Sequence, residues 1–326
     1  MKKTLTIAMA ALLAVSCGRG KQTETDTTAT TAAVEHRGVY HWKTTYDPTE
    51  WEKQWMERHH VDRLYVKLFE VDAGSKHGYD DWRMVPVATT RFEQPLSKGM
   101  EVVPVVYITV DAIRAMSGSS YETMERLAKL LVERVYAMTA EHWGGEVKEV
   151  QLDCDWTTST RYDFFRLCRR VEDCLNKRGA ILSGTVRLHQ LKDEEIPFDR
   201  KLLMCYNTGR LQDSKTHNSI LDYDDVKPYL RGVDSSTLRD YDIAWPTYGW
   251  GVQFDAEGHF SHLTKPADSA NRRIEWGEPK EVRRVKKHLP QMRDNTVVLY
   301  HLDEENLKHY NDEEIEEMYG PRPAAR

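Results

Sequence analysis

Residues 149–161 read EVQLDCDWTTSTR, and their alternation is that of a β-strand: Val150, Leu152 and Cys154 fall on one face, Gln151, Asp153 and Asp155 on the other. Two carboxylates on one face cannot both lie unpaired in an apolar core, where an ionised group either neutralises or costs several kcal/mol. That face must meet water, a ligand or cations. After Asp155 and Trp156 comes Thr157-Thr158-Ser159-Thr160, a run of residue types that cap helices. An amphipathic stretch follows, carrying Phe164, Phe165, Leu167, Cys168, Val171, Cys174 and Leu175. Acidic groups at the C-terminal end of a strand, directly before a helix, stand where α/β folds build their sites.

Working outward, the same strand-then-helix pattern repeats. Strands are predicted over 38–45, 63–71, 102–109, 149–156, 182–188, 202–207, 243–248 and 296–302. Helices are predicted through Trp51, Trp55 and Met56, over 119–142, and over 163–177, 223–230, 281–289 and 304–319. Eight strands alternating with helices over 38–320 make a (β/α)8 TIM barrel the expected α/β fold, as a single domain with rim insertions. Two places fit that plan poorly. No helix pattern separates the second and third strands, where a loop holds Tyr79 and Trp82, and 251–263 reads as a hairpin through Asp255-Ala256-Glu257-Gly258.

The 326 residues, 40% hydrophobic and 30% charged, suffice for one large core. A formal net charge of -6 provides no basic field for nucleic acid, and the run Arg283, Arg284, Lys286, Lys287 reads as a solvated helix face. Nine Trp and sixteen Tyr against seven Phe favour rings that keep a polar edge, the kind suited to wet binding surfaces and sugar faces. The His residues show no metal-ligand spacing, and neither GxGxxG nor a P-loop is present, so no metal or other cofactor is expected. With no CxxC pair either, Cys154, Cys168, Cys174 and Cys205 are read as free thiols, Cys154 and Cys205 facing the helix layer.

Residues 1–16 have the form of an export leader, with Lys2 and Lys3 before the apolar run from Leu5 to Val15. The small residues ending in Cys17 resemble the lipobox of bacterial lipoproteins, in the looser form of Bacteroidota, since Ala14 and not Leu stands three residues before the Cys. That resemblance implies lipidation of Cys17 and attachment to a membrane through acyl chains. Residues 17–37, rich in Thr and without apolar periodicity, are expected to be a flexible tether, and 321–326 a disordered tail. Gly18-Arg19-Gly20-Lys21, with no acidic cluster after the Cys, resembles lipoproteins kept on the periplasmic side of the outer membrane. A monomer is expected.

In a barrel of this class the site lies at the C-terminal strand ends. Those ends supply Trp42 and Lys43, Glu70 and Asp72, Tyr107 and Thr109, Asp153, Asp155 and Trp156, Arg187 and His189, Tyr206 and Asn207, Trp245 and Tyr248, and His301, Asp303 and Glu304. Carboxylates for hydroxyls or acid–base work, joined by rings for apolar sugar faces, describe a carbohydrate site. Asp153, Asp155 and Glu70 are the candidate catalytic acids. Trp42, Tyr107, Trp156, Arg187, His189, Tyr206, Asn207, Trp245, Tyr248 and Asp303 are the candidate glycan contacts. Each has a plainer reading too: Lys67 pairs with Asp153 in a buried network, Arg187 bonds the same carboxylates, and His189 is a loop hydrogen-bonder.

Asp153-Cys154-Asp155-Trp156-Thr157 resembles the DxDxE strand of chitinase-like glycosidases, and Met204-Cys205-Tyr206-Asn207 resembles their sixth-strand M-x-Y-D/N motif. The resemblance implies that Asp155 orients, and Tyr206 bonds, an acetamido group on the substrate. The closing Glu of that motif is the family's general acid. Here Thr157 replaces it, and a hydroxyl cannot protonate a leaving glycosidic oxygen as a carboxylic acid does. Val150 to Asp155 also resembles the VQxDxD strand of uncharacterised glycosidase-like barrels. Two functions follow: a lipid-anchored glycoside hydrolase using other carboxylates, or a non-catalytic glycan-binding or structural lipoprotein. Mouth acids all paired to Lys67 or Arg187 favour the second.

Overall fold

In the computed structural model the described residues are 35–79, 83–97, 99–193, 195–268, 273–289 and 295–321, all within the compact unit Thr31–Arg326. The leader, Cys17, the tether up to residue 34, Trp82 and the tail beyond 321 lie outside them.

Eight parallel strands form the barrel: β1 His36–His41, β2 Arg63–Ala73, β3 Glu101–Ile108, β4 Glu149–Asp153, β5 Ile181–Arg187, β6 Arg200–Met204, β7 Tyr241–Pro246 and β8 Thr296–Tyr300. Each strand pairs with its sequence neighbours, and β1 closes the ring by pairing with both β2 (Gly38 beside Arg63) and β8 (His36 beside Thr296). The fold is the expected (β/α)8 barrel. The outer layer includes α1 Glu50–Arg58, α2 Tyr121–His142, α3 Arg161–Asn176, α4 Tyr223–Leu230, α5 Pro279–Lys286 and α6 Asp312–Tyr319. Four of these starts are set by side-chain caps: Thr49 with Glu52 for α1, Ser120 for α2, Asp222 for α4 and Asn311 with Glu314 for α6. The helix expected over 304–319 is two, Glu304–Leu307 and α6, because Asn311 caps afresh.

The strand faces keep strict phase. Gln151 and Asp153 point into the barrel, while Val150, Leu152 and Cys154 pack outward with Phe164, Leu167 and Cys168 among the fully buried residues. The four cysteines of the barrel are free, all but Cys174 being buried. Glycine is required at Gly184 of β5, where a Cβ would come within 2.1 Å of the Phe198 ring. At the N-terminal end of the barrel, Arg63 and Arg200 meet Glu101, Glu149 and Asp242 in a nearly buried ionic network, with Arg63–Glu101 at 3.0 Å and Arg200–Asp242 at 2.7 Å.

Two departures from the regular plan match the places that fit it poorly in sequence. Among the described residues no α-helix lies between β2 and β3; instead Met84–Val87 runs back antiparallel to β2. After β7, Gly249–Phe254, Phe260–Thr264 and Arg273–Trp276 form a small antiparallel sheet on the rim. Glu275 holds that sheet to the loop after β6, accepting from the Ser219 amide at 3.0 Å, and accepts from the Trp250 indole of the sheet itself at 2.8 Å. The basic run on α5 is neutralised: Arg283 meets Glu317, Arg284 meets Glu281 and Asp224, and Lys286 donates to the Glu317 and Met318 carbonyls at the end of α6.

Candidate glycan site at the barrel mouth

The inward phase of the strands brings a belt of rings to the C-terminal mouth. Trp42, directly after β1, lies 6.2 Å from Tyr107 and 5.7 Å from Tyr300, centroid to centroid. Tyr300 stacks on Tyr206 at 5.0 Å, and Tyr248 stands edge-on to Tyr206 at 6.2 Å and 5.2 Å from Trp250 of the rim sheet. The Tyr248 hydroxyl donates to Asn207 at 2.7 Å and pins that exposed residue in a left-handed conformation, φ 54°. Tyr206 is 4% exposed, and its hydroxyl has no hydrogen-bond partner. Burial pushes the Tyr107, Tyr206, Tyr248 and Tyr300 hydroxyls well above the usual phenol range, so they stay protonated as donors.

The acids face this belt, each with a partner. Glu70 accepts from Lys67 at 2.5 Å, and the Lys67 ammonium sits 5.3 Å from the Trp42 ring. Asp153 is 1% exposed and accepts from Thr185 at 2.6 Å. Burial raises its pKa, and the nearby Arg187 charge opposes that rise. Asp155, with a side chain 42% exposed, is bonded by the Arg187 guanidinium, which lies 5.8 Å from the Tyr206 ring. Burial works against the charge on Arg187, but Asp153, Tyr206 and Asp155 outweigh it and hold its pKa above the ordinary value. The plain partner expected for Lys67 was Asp153; its hydrogen-bonded partner is Glu70.

Of the residues expected at the site, the mouth brings together Trp42, Glu70, Tyr107, Asp153, Asp155, Arg187, Tyr206, Asn207 and Tyr248. Four others go elsewhere. Trp245 is fully buried with its ring 5.9 Å from the Lys286 ammonium of α5, so it faces the helix layer. The phase of β7 is set by Asp242, which accepts from the Thr296 amide at 2.7 Å and so points inward, leaving Trp245 outward. Trp156 is 1% exposed, stacks on Phe164 at 5.3 Å and donates to Asp193 at 2.8 Å, which makes it core beneath the rim. Asp303 caps the turn Glu304–Leu307 and pairs with Lys43 at 3.0 Å, which also meets the buried Glu52 at 3.1 Å. That ion cluster lies beside His41 and His301, behind β1 and not in the mouth. His189 is exposed on the short turn Leu188–Gln190 after β5.

Sequence reading missed Tyr300, the ring at the centre of the belt. Its signal was the phase of β8: Thr296 bonds the inward Arg63 at 3.2 Å, so Thr296, Val298 and Tyr300 all point inward. Thr157 is exposed, its hydroxyl 3.0 Å from Ser159 and 3.2 Å from Thr160. Among the described residues no group of three or more His, Cys, Asp or Glu is arranged to hold a metal ion.

No protein-family model matches the chain, and no curated protein matches it in sequence. Solved structures match it in fold. The spore cortex-lytic enzyme SleL of Bacillus cereus superposes with a TM-score of 0.56 at 12% identity, covering 90% of this chain and 76% of its own. The GH18 chitinase ChiB from the chitin utilization locus of Flavobacterium johnsoniae gives 0.53 at 9% identity, covering 88% and 94%. A chitinase from Chromobacterium violaceum gives 0.50 at 13% identity, covering 85% and 98%. The fold is thus a closed (β/α)8 barrel like those of these chitinases and of the spore cortex-lytic enzyme.

Proposed function

We propose that the barrel mouth binds a glycan chain without hydrolysing it. What carries the reading is the state of the acids: Glu70 is tied to Lys67, Asp155 to Arg187, and Asp153 is buried beneath Thr185, while Thr157 stands where a general acid is needed. An acid catalyst must reach the glycosidic oxygen and hold a transferable proton. Asp153 has the raised pKa but not the access, and Asp155 has the access but is held by a guanidinium. The belt from Trp42 to Trp250 suits the apolar faces of successive sugars, and the unpartnered Tyr206 hydroxyl and exposed Asn207 supply polar contacts. Neighbours of the same fold include chitinases and a cortex-lytic enzyme, which supports a glycan as the ligand class.

The test is a glycan-array screen run beside a hydrolysis assay on the ligands found. Binding without turnover is expected, and Thr157→Glu is expected to bring measurable hydrolysis of a bound ligand from none. Turnover by the unaltered protein would overturn the binding-only reading, and failure to bind any glycan would overturn the site.

The lipobox-like residues ending in Cys17 support a second part of the proposal, that the barrel is tethered by acyl chains to the outer membrane on its periplasmic side. Cys17→Ser is expected to move the protein from the membrane to the soluble fraction; retention on the membrane would mean another anchor.

A further inference from the structure

Among the described residues, no α-helix of the crossover from β2 to β3 covers the outside of the barrel. The gap is a hollow of about 510 Å³, within the roughly 300–1,000 Å³ of small-molecule sites. Its walls are apolar: Phe69 and Val71 from the outer face of β2, Met84 and Pro86 from the strand running back along it, and Leu127 and Leu131 from α2. Among the described residues one charged group lines it, Arg134 of α2. Its guanidinium lies 5.0 Å from the Phe69 ring and donates once, to Thr89 at 2.9 Å, while its buried Nε–H has no hydrogen-bond partner. An apolar hollow with one cation at its wall, holding an unsatisfied donor, complements an alkyl chain that ends in an anion.

We propose that this hollow is a binding site for a free long-chain fatty acid, the alkyl chain lying along Phe69, Val71 and Leu131 and the carboxylate accepting from Arg134. The site is separate from the mouth, on the outer face of the barrel, and does not depend on the glycan reading.

The test is calorimetric titration of the purified protein with octanoate, decanoate and dodecanoate, and with dodecanol as the uncharged comparison. Saturable one-to-one binding is expected, tightening about fifteenfold for each two added methylenes until the hollow is full, from about 0.8 kcal/mol per methylene. Arg134→Gln is expected to weaken dodecanoate at least tenfold and to leave dodecanol within twofold. Leu130, 43% exposed at the opening, offers a blocking position that spares the core: Leu130→Trp is expected to abolish binding of both with no change in melting temperature. The proposal is overturned by absence of saturable binding, by equal binding to Arg134→Gln, or by light scattering that shows a dimer dissociated by Leu130→Trp, which would make a second copy the occupant.

Discussion

Arg187→Met is expected to lower the free energy of unfolding by about 3–5 kcal/mol at pH 7.5, the scale for leaving a buried charge without its compensating one. Arg187 is the cation that acts most strongly on Asp153, which is 1% exposed and keeps the Thr185 hydroxyl and the weaker pull of Lys67 when the guanidinium is gone. Burial already raises the Asp153 pKa above its ordinary 3.8, and loss of Arg187 removes the charge opposing that rise. A carboxyl whose folded pKa exceeds its unfolded one contributes stability below the unfolded value and loses it as pH rises through the folded one. The deficit of Arg187→Met should therefore be largest at pH 7.5 and shrink toward pH 4.5, measured by denaturant unfolding at both. Asp155→Asn is the control: its side chain is 42% exposed, so its loss should change stability by under about 1 kcal/mol. A deficit for Arg187→Met that is small or independent of pH would mean that Asp153 is not held by this cation.

The second large effect is expected at His41. The ring is 2% exposed, outside the barrel wall against Tyr46 at 4.9 Å, and burial, with the charges of Lys43 and His301, lowers its pKa from 6.5 to about 4. The unfolded chain therefore takes up a proton near pH 6.5 that the folded one refuses until about pH 4. Stability on this account is fully present above pH 6.5 and falls as the pH drops toward 4, by about 3 kcal/mol in all. His41→Phe keeps a ring on Tyr46 and removes the titration, so its stability should fall about 3 kcal/mol less than that of the unaltered protein between pH 7 and pH 4. Parallel pH profiles for the two would show that His41 is neutral for no energetic reason.

Much of this site could be read from strand phase alone. Asp153, Asp155, Arg187, Tyr206 and Tyr248 sit where alternation placed them, because each strand carries one polar face that only an interior or a mouth can take. Where alternation was ambiguous the reading slipped. The stretch Tyr241–Pro246 is apolar on both faces but for Asp242, and the partners that turn Asp242 inward, Arg200 and Thr296, are far away in sequence. Trp245 was lost to that ambiguity, and Tyr300 was passed over because the eighth strand ends two residues earlier than its apolar pattern suggests. Pairings such as Lys67 with Glu70 depend on side-chain reach across a strand bulge near residue 68, which no periodicity encodes.

The seam between β1 and β8 joins His36 to Thr296, and Arg37 adds bonds to Glu316 and to the Gly320 carbonyl. While the chain is being made, everything up to β7 must therefore wait. A product ending before Thr296 has seven strands and two unpaired edges, β1 and β7, each a template for pairing with another copy. Contacts this distant in sequence also form late and slowly. Truncation before Thr296 should thus be felt as edge-to-edge association of the unclosed barrel, and the eighth strand acts as a clasp on a ring that is otherwise an open ribbon.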